Sequence, residues 1–272
     1  MDQPRLDISV LVTGATGGIG RLTAEALARR GARVLVHGRS ADKVNQTVAA
    51  IEAGGGAATG LTADLSSLAE TATLARAVSA RAPELDAVIN NAGVGFGRDQ
   101  RLREQSRDGF ELRFAVNYLA PCLLTTSLLA AGLPRRAIVN VASVGQEALD
   151  FDDLMSVRGY QGVSAYRRSK LALVMLTFDL AQDHPDRQVH ALHPGTLLDT
   201  GMVRESGIAP HGPASGGARA IQVVLDAALA AQGQSGRYFD EDRPARAAAE
   251  AYDPAARLRL RTATRALLAP YL

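Results

Sequence analysis

The sequence predicts an α/β protein in which helices cover both faces of a doubly wound, mainly parallel sheet. Short β-branched runs alternate with longer helical segments from residue 8 to residue 192, which is the pattern of repeated β-α-β units. A glycine-rich segment, Gly14–Gly20, joins the first run to the helix that follows it. No linker, repeat or low-complexity tract divides the 272 residues, so we expect one domain over 1–272.

The predicted strands are the short runs rich in β-branched residues. In chain order they are Ile8–Thr13, Arg33–His37, Ala57–Thr62, Asp86–Asn90, Ala137–Val141, Gln188–Leu192 and a short strand near Arg237–Phe239. The predicted helices are the segment from the glycine turn to about Arg30, then Ser40–Ala53, Ser66–Ala82, Gly109–Ala131, Ser164–Gln182, Ala218–Ala231 and a C-terminal helix over Ala255–Leu268. Gly54–Gly56 end the second helix, as glycines beyond a helix C-terminus do. A glycine- and proline-rich loop is expected over Gly201–Gly217.

Composition indicates a cytoplasmic protein that acts on small molecules. The net charge of +2 comes from scattered arginines, which argues against a nucleic-acid partner. We expect no membrane partner, because no uncharged apolar stretch reaches ~18 residues and residues 1–7 lack an apolar core. Cys122 is the single cysteine and lies in an apolar run, so a buried, inert thiol in a reducing compartment is expected, and no metal site.

Tyr166 and Lys170 form the most informative local pattern. Lysine is rare here, since Lys43 is the only other lysine among 30 basic residues. On a helix, residues i and i+4 share one face, so the phenol and the ammonium point into one site. An ammonium there favours the phenolate and lowers the phenol's pKa from its usual ~10. An exposed tyrosine and lysine on a surface helix would have the same spacing. The rest of the chain decides between a functional pair and an exposed one.

The glycine turn and the end of the second strand predict a dinucleotide site. The spacing Gly14-x-x-x-Gly18-x-Gly20 lets the backbone approach a pyrophosphate at a helix N-terminus, although a tight turn without a ligand has the same composition. A carboxylate after the second strand would hold the 2′-hydroxyl of NAD. Instead, Arg39 offers a fork for a phosphate, and Ser40 a hydroxyl and a helix start. We therefore expect NADP(H), with NAD(H) less favoured.

Several motifs in order resemble the short-chain dehydrogenase/reductase superfamily over nearly the whole chain. They are the glycine spacing, Asn90-Asn-Ala-Gly93, Asn117, Ser143, Tyr166 with Lys170, and Pro194-Gly195. Within it, Gly109–Tyr118 and Phe151–Leu154 resemble the retinol-dehydrogenase-like branch. The resemblance implies a Rossmann-type fold and hydride transfer between a nicotinamide and a carbonyl or alcohol.

The resemblance also assigns roles. Ser143 would hold the substrate oxygen, Tyr166 would exchange its proton, Lys170 would lower the phenol's pKa and bind the nicotinamide ribose, and Asn117 would bend its helix and hold a water. Asp64 and Leu65 would flank the adenine, and Asn90 would line the nicotinamide side. The remaining implied cofactor contacts are Gly14, Thr16, Gly17, Gly18, Ile19, Gly20, Ala92, Gly93, Pro194, Gly195, Leu197 and Thr200.

Three segments border this site in the prediction. Gln146–Ser164 lengthens the interval between Ser143 and Tyr166 to 23 positions, and is either one wall of the pocket or an acidic surface flap. The loop Thr196–Gly217 should cover nicotinamide and substrate, with His211 an ordinary loop histidine. The arginines of Arg98–Arg107 are interpreted as solvated surface.

The expected function is that of an NADP(H)-dependent oxidoreductase, a ketoreductase of lipid or secondary metabolism. The alternative is a related fold that keeps the nucleotide but does non-redox chemistry, as an isomerase, dehydratase or cyclase, or serves as a regulatory module. The helices Gly109–Ala131 and Ser164–Gln182 are apolar around most of their surface, so each needs cover on more than one side. The resemblance suggests a homodimer through these helices across a two-fold axis. The competing explanation is cover within one chain, by the longer loop before Tyr166 or by the C-terminal helix Ala255–Leu268.

Overall fold

One eight-stranded sheet organises the described chain. The computed structural model describes residues 5–231 and 234–272. Within them the strand order is β3-β2-β1-β4-β5-β6-β7-β8, and every neighbouring pair is parallel except β7 and β8. The strands are β1 Ser9–Val12, β2 Arg33–Gly38, β3 Ala57–Thr62, β4 Ala87–Asn90, β5 Ala137–Val141, β6 Gln188–His193, β7 Arg237–Asp240 and β8 Arg243–Ala245. The predicted doubly wound α/β fold is confirmed.

The principal helices alternate with the strands up to β7. They are α1 Gly18–Arg29, α2 Ala41–Ala53, α3 Leu68–Arg81, α4 Leu112–Ala130, α5 Gly162–Asp183, α6 Gly201–Glu205, α7 Ala214–Leu229 and α8 Pro254–Leu268. A π-helical stretch, Ala115–Leu119, interrupts α4. Ser40 accepts a hydrogen bond from the Lys43 amide and so begins α2, as the sequence predicts.

Three elements differ from the sequence prediction, all in the last third of the chain. The expected loop over Gly201–Gly217 contains α6, α7 begins at Ala214, and β8 was not predicted. Gly216 and Gly217 lower intrinsic helix propensity, but helix α7 packs closely there. A Cβ at Gly217 would lie 2.7 Å from the Leu198 side chain and 3.1 Å from the Pro194 carbonyl oxygen. Glycine therefore allows the helix to approach this loop.

The core has two layers, one on each face of the sheet. Alternating residues along a strand point to opposite faces. Leu11, Val88 and Ile138 therefore face the layer that contains α3, α4 and α5, whereas Val12, Ile89 and Val139 face the layer that contains α1 and α7. Both layers are closed to solvent, and Cys122 is buried in the first, which raises the pKa of its thiol to about 12.

Helix α4 has a strongly apolar composition. Leu112–Ala130 is long and apolar enough to cross a membrane by length and composition, in contrast to the expectation from the sequence. About 78% of its most apolar window is buried inside the protein. A helix enclosed between a sheet and neighbouring helices has the same composition, so this feature is weak support for a membrane span.

The C-terminal helix α8 covers the outer side of α4 and α5. The Tyr118 hydroxyl lies 2.7 Å from the Thr264 hydroxyl, and Arg257 forms a 3.1 Å ion pair with Asp179 of α5. Leu260 of α8 is buried in the same core layer. Most of the apolar side chains that motivated a dimer are buried within one chain: Phe114, Leu119, Leu123, Leu124, Leu128, Leu171, Leu173, Val174, Leu176, Phe178 and Leu180. Leu112 and Leu129 are half-buried against the same core layer. The competing explanation, cover within one chain, therefore accounts for both helices.

We therefore expect a monomer of 28.6 kDa in solution. Helix α8 already occupies the faces through which a dimer of α4 and α5 would form, so association would bury little further apolar area. Light scattering during size exclusion at micromolar concentration measures the mass directly. A mass near twice that value would restore the homodimer and require a different interface.

Candidate active site

The candidate site lies at the carboxyl edge of the sheet. In a parallel sheet these ends meet at one edge, which is where ligands bind in such folds. The turn after β1, the segment Asn91–Val94 after β4, Ser143 after β5 and Pro194 after β6 all leave the sheet there. Helix α5 returns beneath them with Tyr166 and Lys170.

The glycine turn has the shape of an anion cradle. Gly14 and Gly18 have φ of +66° and +51°, in the left-handed region that glycine accommodates. A Cβ at Gly20 would lie 2.4 Å from the Gly14 carbonyl oxygen, so only glycine fits. Gly17 precedes α1, no side chain caps that helix, and its first turn carries no acid. The free N–H groups and the helix dipole are therefore available to a phosphate, and these residues fit a dinucleotide.

Two residues that the sequence analysis did not assign hold this turn against β4. The Thr13 hydroxyl accepts hydrogen bonds from the Asn91 and Ala92 amides, each at 3.0 Å. The Asn91 side chain donates in return to the Thr13 carbonyl at 2.9 Å. The only sequence signal was the doubled asparagine in Asn90-Asn91, which does not reveal which of the two faces the turn.

The end of β2 presents a free arginine beside a buried histidine. Arg39 is exposed and makes no ion pair or hydrogen bond among the described residues. His37 is buried; its Nδ1 lies 3.4 Å from the Gly14 amide and its Nε2 lies 3.1 Å from the Ala63 carbonyl. Burial lowers the pKa of His37 to about 4, so the imidazole is neutral and connects the glycine turn to the end of β3. The adjacent Gly38 lies against Thr16.

Asp64 and Leu65 follow β3 at the same edge. Leu65 is buried, and Asp64 accepts a hydrogen bond from the Ser66 amide at 2.9 Å. Arg107 lies 3.5 Å from the Asp64 carboxylate and 2.7 Å from Glu70. This arginine compensates part of the acidic charge after β3, and its contacts differ from the purely solvated surface expected for Arg98–Arg107.

Asn117 lies in the π-helical stretch of α4, and the bend expected at this residue stays a prediction. Its side chain accepts a hydrogen bond from the Val94 amide at 2.8 Å and donates to the Val94 carbonyl at 3.1 Å. It also donates to the Ser169 hydroxyl at 3.0 Å. Asn117 thus joins the segment after β4 to helix α5, next to Lys170.

Ser143 and Tyr166 are neighbours in the site, and Ser143 influences the pKa of the phenol. The Ser143 hydroxyl also accepts a hydrogen bond from the Gly145 amide at 3.1 Å. Burial raises the pKa of Tyr166, and the hydrogen bond with Ser143 opposes this rise. The ring of Phe96 meets the Tyr166 ring edge to face, with 4.9 Å between centroids. The lower phenol pKa expected from Lys170 is not seen in this state of the site, because the loss of hydration is the larger effect.

Lys170 is fully buried below Tyr166. Its ammonium donates to the Val141 carbonyl at 2.8 Å and lies 5.7 Å from the centre of the Tyr166 ring. Burial lowers the pKa of Lys170 to about 8. A Cβ at Gly93 would lie 3.6 Å from this ammonium and 3.1 Å from the side-chain oxygen of Asn117. The absence of a side chain at Gly93 therefore leaves a narrow approach to Lys170.

Asn90 has a different environment from the other predicted cofactor contacts. Its amide nitrogen donates to the Thr125 hydroxyl at 3.0 Å and to the Asn140 side chain at 2.8 Å. Asn140 in turn donates to the Thr177 hydroxyl at 2.9 Å. These contacts lie in the layer of α4 and α5, so the side chain of Asn90 serves the interior of the fold.

The loop after β6 crosses the glycine turn. Thr200 begins α6, and its methyl group would lie 3.2 Å from a Cβ at Gly18. Met202, which the sequence analysis did not assign, contacts Gly93 and Gly95 on the far side of the cleft. Gly195 has φ of +125° and Leu197 has φ of +48°, so the backbone turns sharply where the loop leaves the sheet. The loop therefore covers the region between the glycine turn and Lys170.

The segment 146–161 packs against the loop after β4. Arg103 donates to the Met155 carbonyl at 2.9 Å, and the Gly162 amide donates to the Gln100 carbonyl at 2.7 Å. The Tyr160 hydroxyl donates to Glu111 at 3.0 Å. Of the two interpretations left open by the sequence, these contacts favour the pocket wall.

A buried arginine supports this wall from inside. Arg113 donates to the Gly95 carbonyl at 2.9 Å and forms ion pairs with Glu104 and Glu111. It is 1% exposed, and Glu111 caps the start of α4 through the Phe114 amide. Sequence reasoning missed Arg113 because nothing in the pattern of charges indicated a buried ion pair.

Comparison with known proteins agrees with this geometry. The family model described as short chain dehydrogenase matches residues 9–209. Human retinol dehydrogenase 13 is 37% identical over 211 residues, which cover 74% of this chain and 62% of that protein. The first curated relatives are matched over only about three-fifths of their own length, at 61%, 62% and 61%.

Solved structures share the fold. A protein of uncharacterised function from Mycobacterium paratuberculosis superposes with a TM-score of 0.81 at 25% identity, covering 98% of this chain and 95% of that one. The landomycin C-6 ketoreductase LanV, solved with NADP and rabelomycin, has a TM-score of 0.65 at 27% identity over 86% of this chain and 94% of its own.

The family match covers β1 to α6, including the glycine turn, Asn117, Ser143, Tyr166 and Lys170. The retinol dehydrogenase relatives agree with the branch that the motifs resembled. This chain therefore belongs to the short-chain dehydrogenase family, in its retinol-dehydrogenase-like branch.

Proposed function

We propose that this protein is an NADP(H)-dependent ketoreductase of lipid or secondary metabolism, acting on a carbonyl or secondary alcohol. The observation that carries the proposal is the convergence of Ser143, Tyr166 and Lys170 beside the open glycine turn. A bound nicotinamide cofactor supplies or accepts the hydride in such a reaction. The protein's own residues then have to bind the substrate oxygen and move one proton.

Ser143 and Tyr166 are suited to that proton transfer. Charge develops on the carbonyl oxygen during reduction, and hydrogen-bond donors placed there stabilise it. The Ser143 hydroxyl donates to this oxygen, and the Tyr166 phenol transfers its proton to it. The elevated pKa of Tyr166 keeps the phenol protonated before reduction. In alcohol oxidation the same phenol has to be deprotonated, and the nearby Lys170 ammonium favours that form.

Arg39 supports the choice of NADP(H). Its guanidinium is exposed at the end of β2 and has no partner within residues 5–231 and 234–272, and the 2′-position of an adenosine ribose lies there in folds of this type. Ser40 adds a hydroxyl and the start of α2. The nearest carboxylate after β3, Asp64, is compensated by Arg107. Arg39 therefore offers an exposed guanidinium to an anionic 2′-phosphate.

The surroundings of Tyr166 support an apolar substrate. Phe96 lies against the phenol ring. Exposed aliphatic side chains lie on the loops that leave the sheet at the same edge, namely Leu102, Val144, Val157 and Ile208. A bulky, largely apolar carbonyl compound fits these surfaces, and the ketoreductase LanV, solved with rabelomycin, offers a precedent for such a compound on this fold.

The competing proposal is a family member that binds the nucleotide for non-redox chemistry or regulation. The complete set of Ser143, Tyr166, Lys170 and Asn117 favours hydride transfer, since a binding module does not need a proton donor at this position. Incubation of the protein with NADPH and a panel of apolar ketones, followed by absorbance of the reduced nicotinamide, distinguishes the two. Binding of NADPH without oxidation by any carbonyl compound would favour the competing proposal.

The Tyr166→Phe variant is expected to lose turnover almost completely while it retains NADPH binding. The substitution removes the transferable proton and keeps the ring against Phe96. Turnover is measured by NADPH absorbance and binding by fluorescence. Tyr252→Phe, at a 40% exposed tyrosine outside the site, is the control and should retain wild-type turnover. Near-normal kcat in Tyr166→Phe would refute the role of the phenol.

The Arg39→Asp variant is expected to prefer NADH over NADPH. The new carboxylate repels a 2′-phosphate and accepts a hydrogen bond from a 2′-hydroxyl, with a loss for NADPH above ~2 kcal/mol. The ratio of kcat/KM for the two cofactors is the measurement. Arg29→Asp is the matched control. Arg29 lies in the last turn of α1, at the end away from the glycine turn, and its substitution should leave the ratio unchanged. A wild-type preference for NADH would contradict the assignment of Arg39.

Carbonyl reduction is expected to slow as the pH rises through about 8. The folded-state pKa of Lys170 is lowered to about 8, so its ammonium is charged below that pH and neutral above it. Loss of this charge weakens ribose binding and the electrostatic support of Tyr166. The pH profile of kcat/KM, which reports the free enzyme, tests this. A profile that remains flat up to pH 10 would show that Lys170 stays charged or does not contribute.

A further inference from the structure

The backbone carbonyl of Ser143 accepts two side-chain hydrogen bonds. The Tyr238 hydroxyl of β7 donates to it at 3.0 Å, and the Gln146 side-chain amide donates at 2.9 Å. A carbonyl oxygen has two lone pairs, so both are occupied. The peptide plane that follows Ser143 cannot rotate without breaking these bonds. The hydroxyl of the same residue is the group that meets Tyr166.

The C-terminal part of the chain holds this region at further points. The Ala248 amide donates to the Gln146 side-chain oxygen at 2.9 Å, so Gln146 is itself oriented. The Leu149 amide donates to Glu250 at 2.8 Å. Together with the bond from Tyr238, these contacts attach residues 238–250 to residues 143–149. The family match ends at residue 209, so the attaching segment lies outside it.

Tyr238 is suited to act as a permanent donor. Its side chain is 3% exposed and lies in the main core layer, so its ring position is defined by packing. Burial raises the pKa of Tyr238 above its usual range, and the hydroxyl therefore keeps its proton around neutral pH. In contrast, an exposed hydroxyl would exchange its partner with water.

We propose that Tyr238 is a positioning residue for Ser143, which acts through the Ser143 carbonyl to direct the serine hydroxyl toward Tyr166. The proposal rests on the proposed function, in which that hydroxyl binds the substrate oxygen. Gln146 is the second member of the same support. Tyr238 does not touch the substrate or the cofactor in this proposal.

A double-mutant cycle between Tyr238→Phe and Ser143→Ala tests the proposal. Ser143→Ala removes the hydroxyl but keeps the carbonyl that Tyr238 holds, so the cycle isolates the effect on the hydroxyl. We expect Tyr238→Phe to lower kcat about tenfold in the wild-type background, which is the effect of ~1.4 kcal/mol on a barrier. In the Ser143→Ala background the same substitution should change kcat less than about twofold, because nothing remains to be positioned.

Equal losses in the two backgrounds would overturn the proposal and assign Tyr238 a general structural role. No loss in the wild-type background would overturn it as well. The matched control is Tyr252→Phe, because the Tyr252 hydroxyl accepts a hydrogen bond from the Ala247 amide in the same part of the chain. This substitution should leave kcat unchanged in both backgrounds. If Ser143→Ala alone has no effect, the role of Ser143 in the proposed function fails.

The pH dependence supplies a readout that a purely structural role would not move. The hydrogen bond with Ser143 lowers the pKa of Tyr166, so its loss in Tyr238→Phe raises that pKa further. Alcohol oxidation requires the deprotonated phenol. The acidic limb of the pH profile of kcat for oxidation should therefore move to higher pH in the variant. An unchanged limb together with a lower kcat would contradict positioning of the Ser143 hydroxyl.

Crystal structures of the wild-type protein and the Tyr238→Phe variant provide a test without turnover. We expect the Ser143 hydroxyl to leave Tyr166 in the variant while the rest of β5 stays in place. An unchanged Ser143 hydroxyl would overturn the proposal. This measurement remains decisive even if no carbonyl substrate is found, in which case the proposed function fails separately.

Discussion

The site depends on a buried hydrogen bond between the side chains of Asn90 and Asn140, at the ends of the two central strands. Thr125 of α4 bonds the first asparagine and Thr177 of α5 bonds the second. Each threonine lies about two turns from a proposed functional residue of its helix, Asn117 in α4 and Lys170 in α5. A one-residue slip of either strand would leave buried amide groups unsatisfied, which costs roughly 1–3 kcal/mol for each group. This pairing therefore sets how the two strands and the two helices meet at the carboxyl edge.

Burial acts in opposite directions on the two titratable groups of the site. It disfavours the phenolate of Tyr166 and the ammonium of Lys170, so the pKa of the phenol rises while that of the lysine falls to about 8. The contact with Ser143 limits the rise for the phenol, and the Lys170 ammonium donates to the Val141 carbonyl at 2.8 Å. The position of Ser143 thus affects both the binding of a substrate oxygen and the acidity of the phenol, which explains why a rigid support for this serine matters.

The C-terminal segment contributes to the fold in two ways. Helix α8 covers α4 and α5 through Tyr118, Thr264 and the ion pair of Arg257 with Asp179. The preceding strands and turn, over 237–252, contact the backbone around Ser143 through Tyr238 and Glu250. Both sets of contacts join residues far apart in the sequence, such as Tyr118 with Thr264 and Tyr238 with Ser143, so this part of the chain connects the outer surface of the helical layer to the site.

The sequence by itself determined the α/β class, seven of the eight described strands to within about one residue, the glycine cradle and the four residues proposed to act in catalysis. Those features are encoded locally, in β-branched runs, glycine spacing and the i, i+4 relation of Tyr166 and Lys170. Only the tertiary structure decided that the Asn90 side chain serves the interior, that Arg113 is buried, and that Tyr238 reaches Ser143. It also decided which surface covers α4 and α5, and it revealed β8 and the start of α7. These features depend on contacts between distant segments, for which propensity and periodicity carry no information.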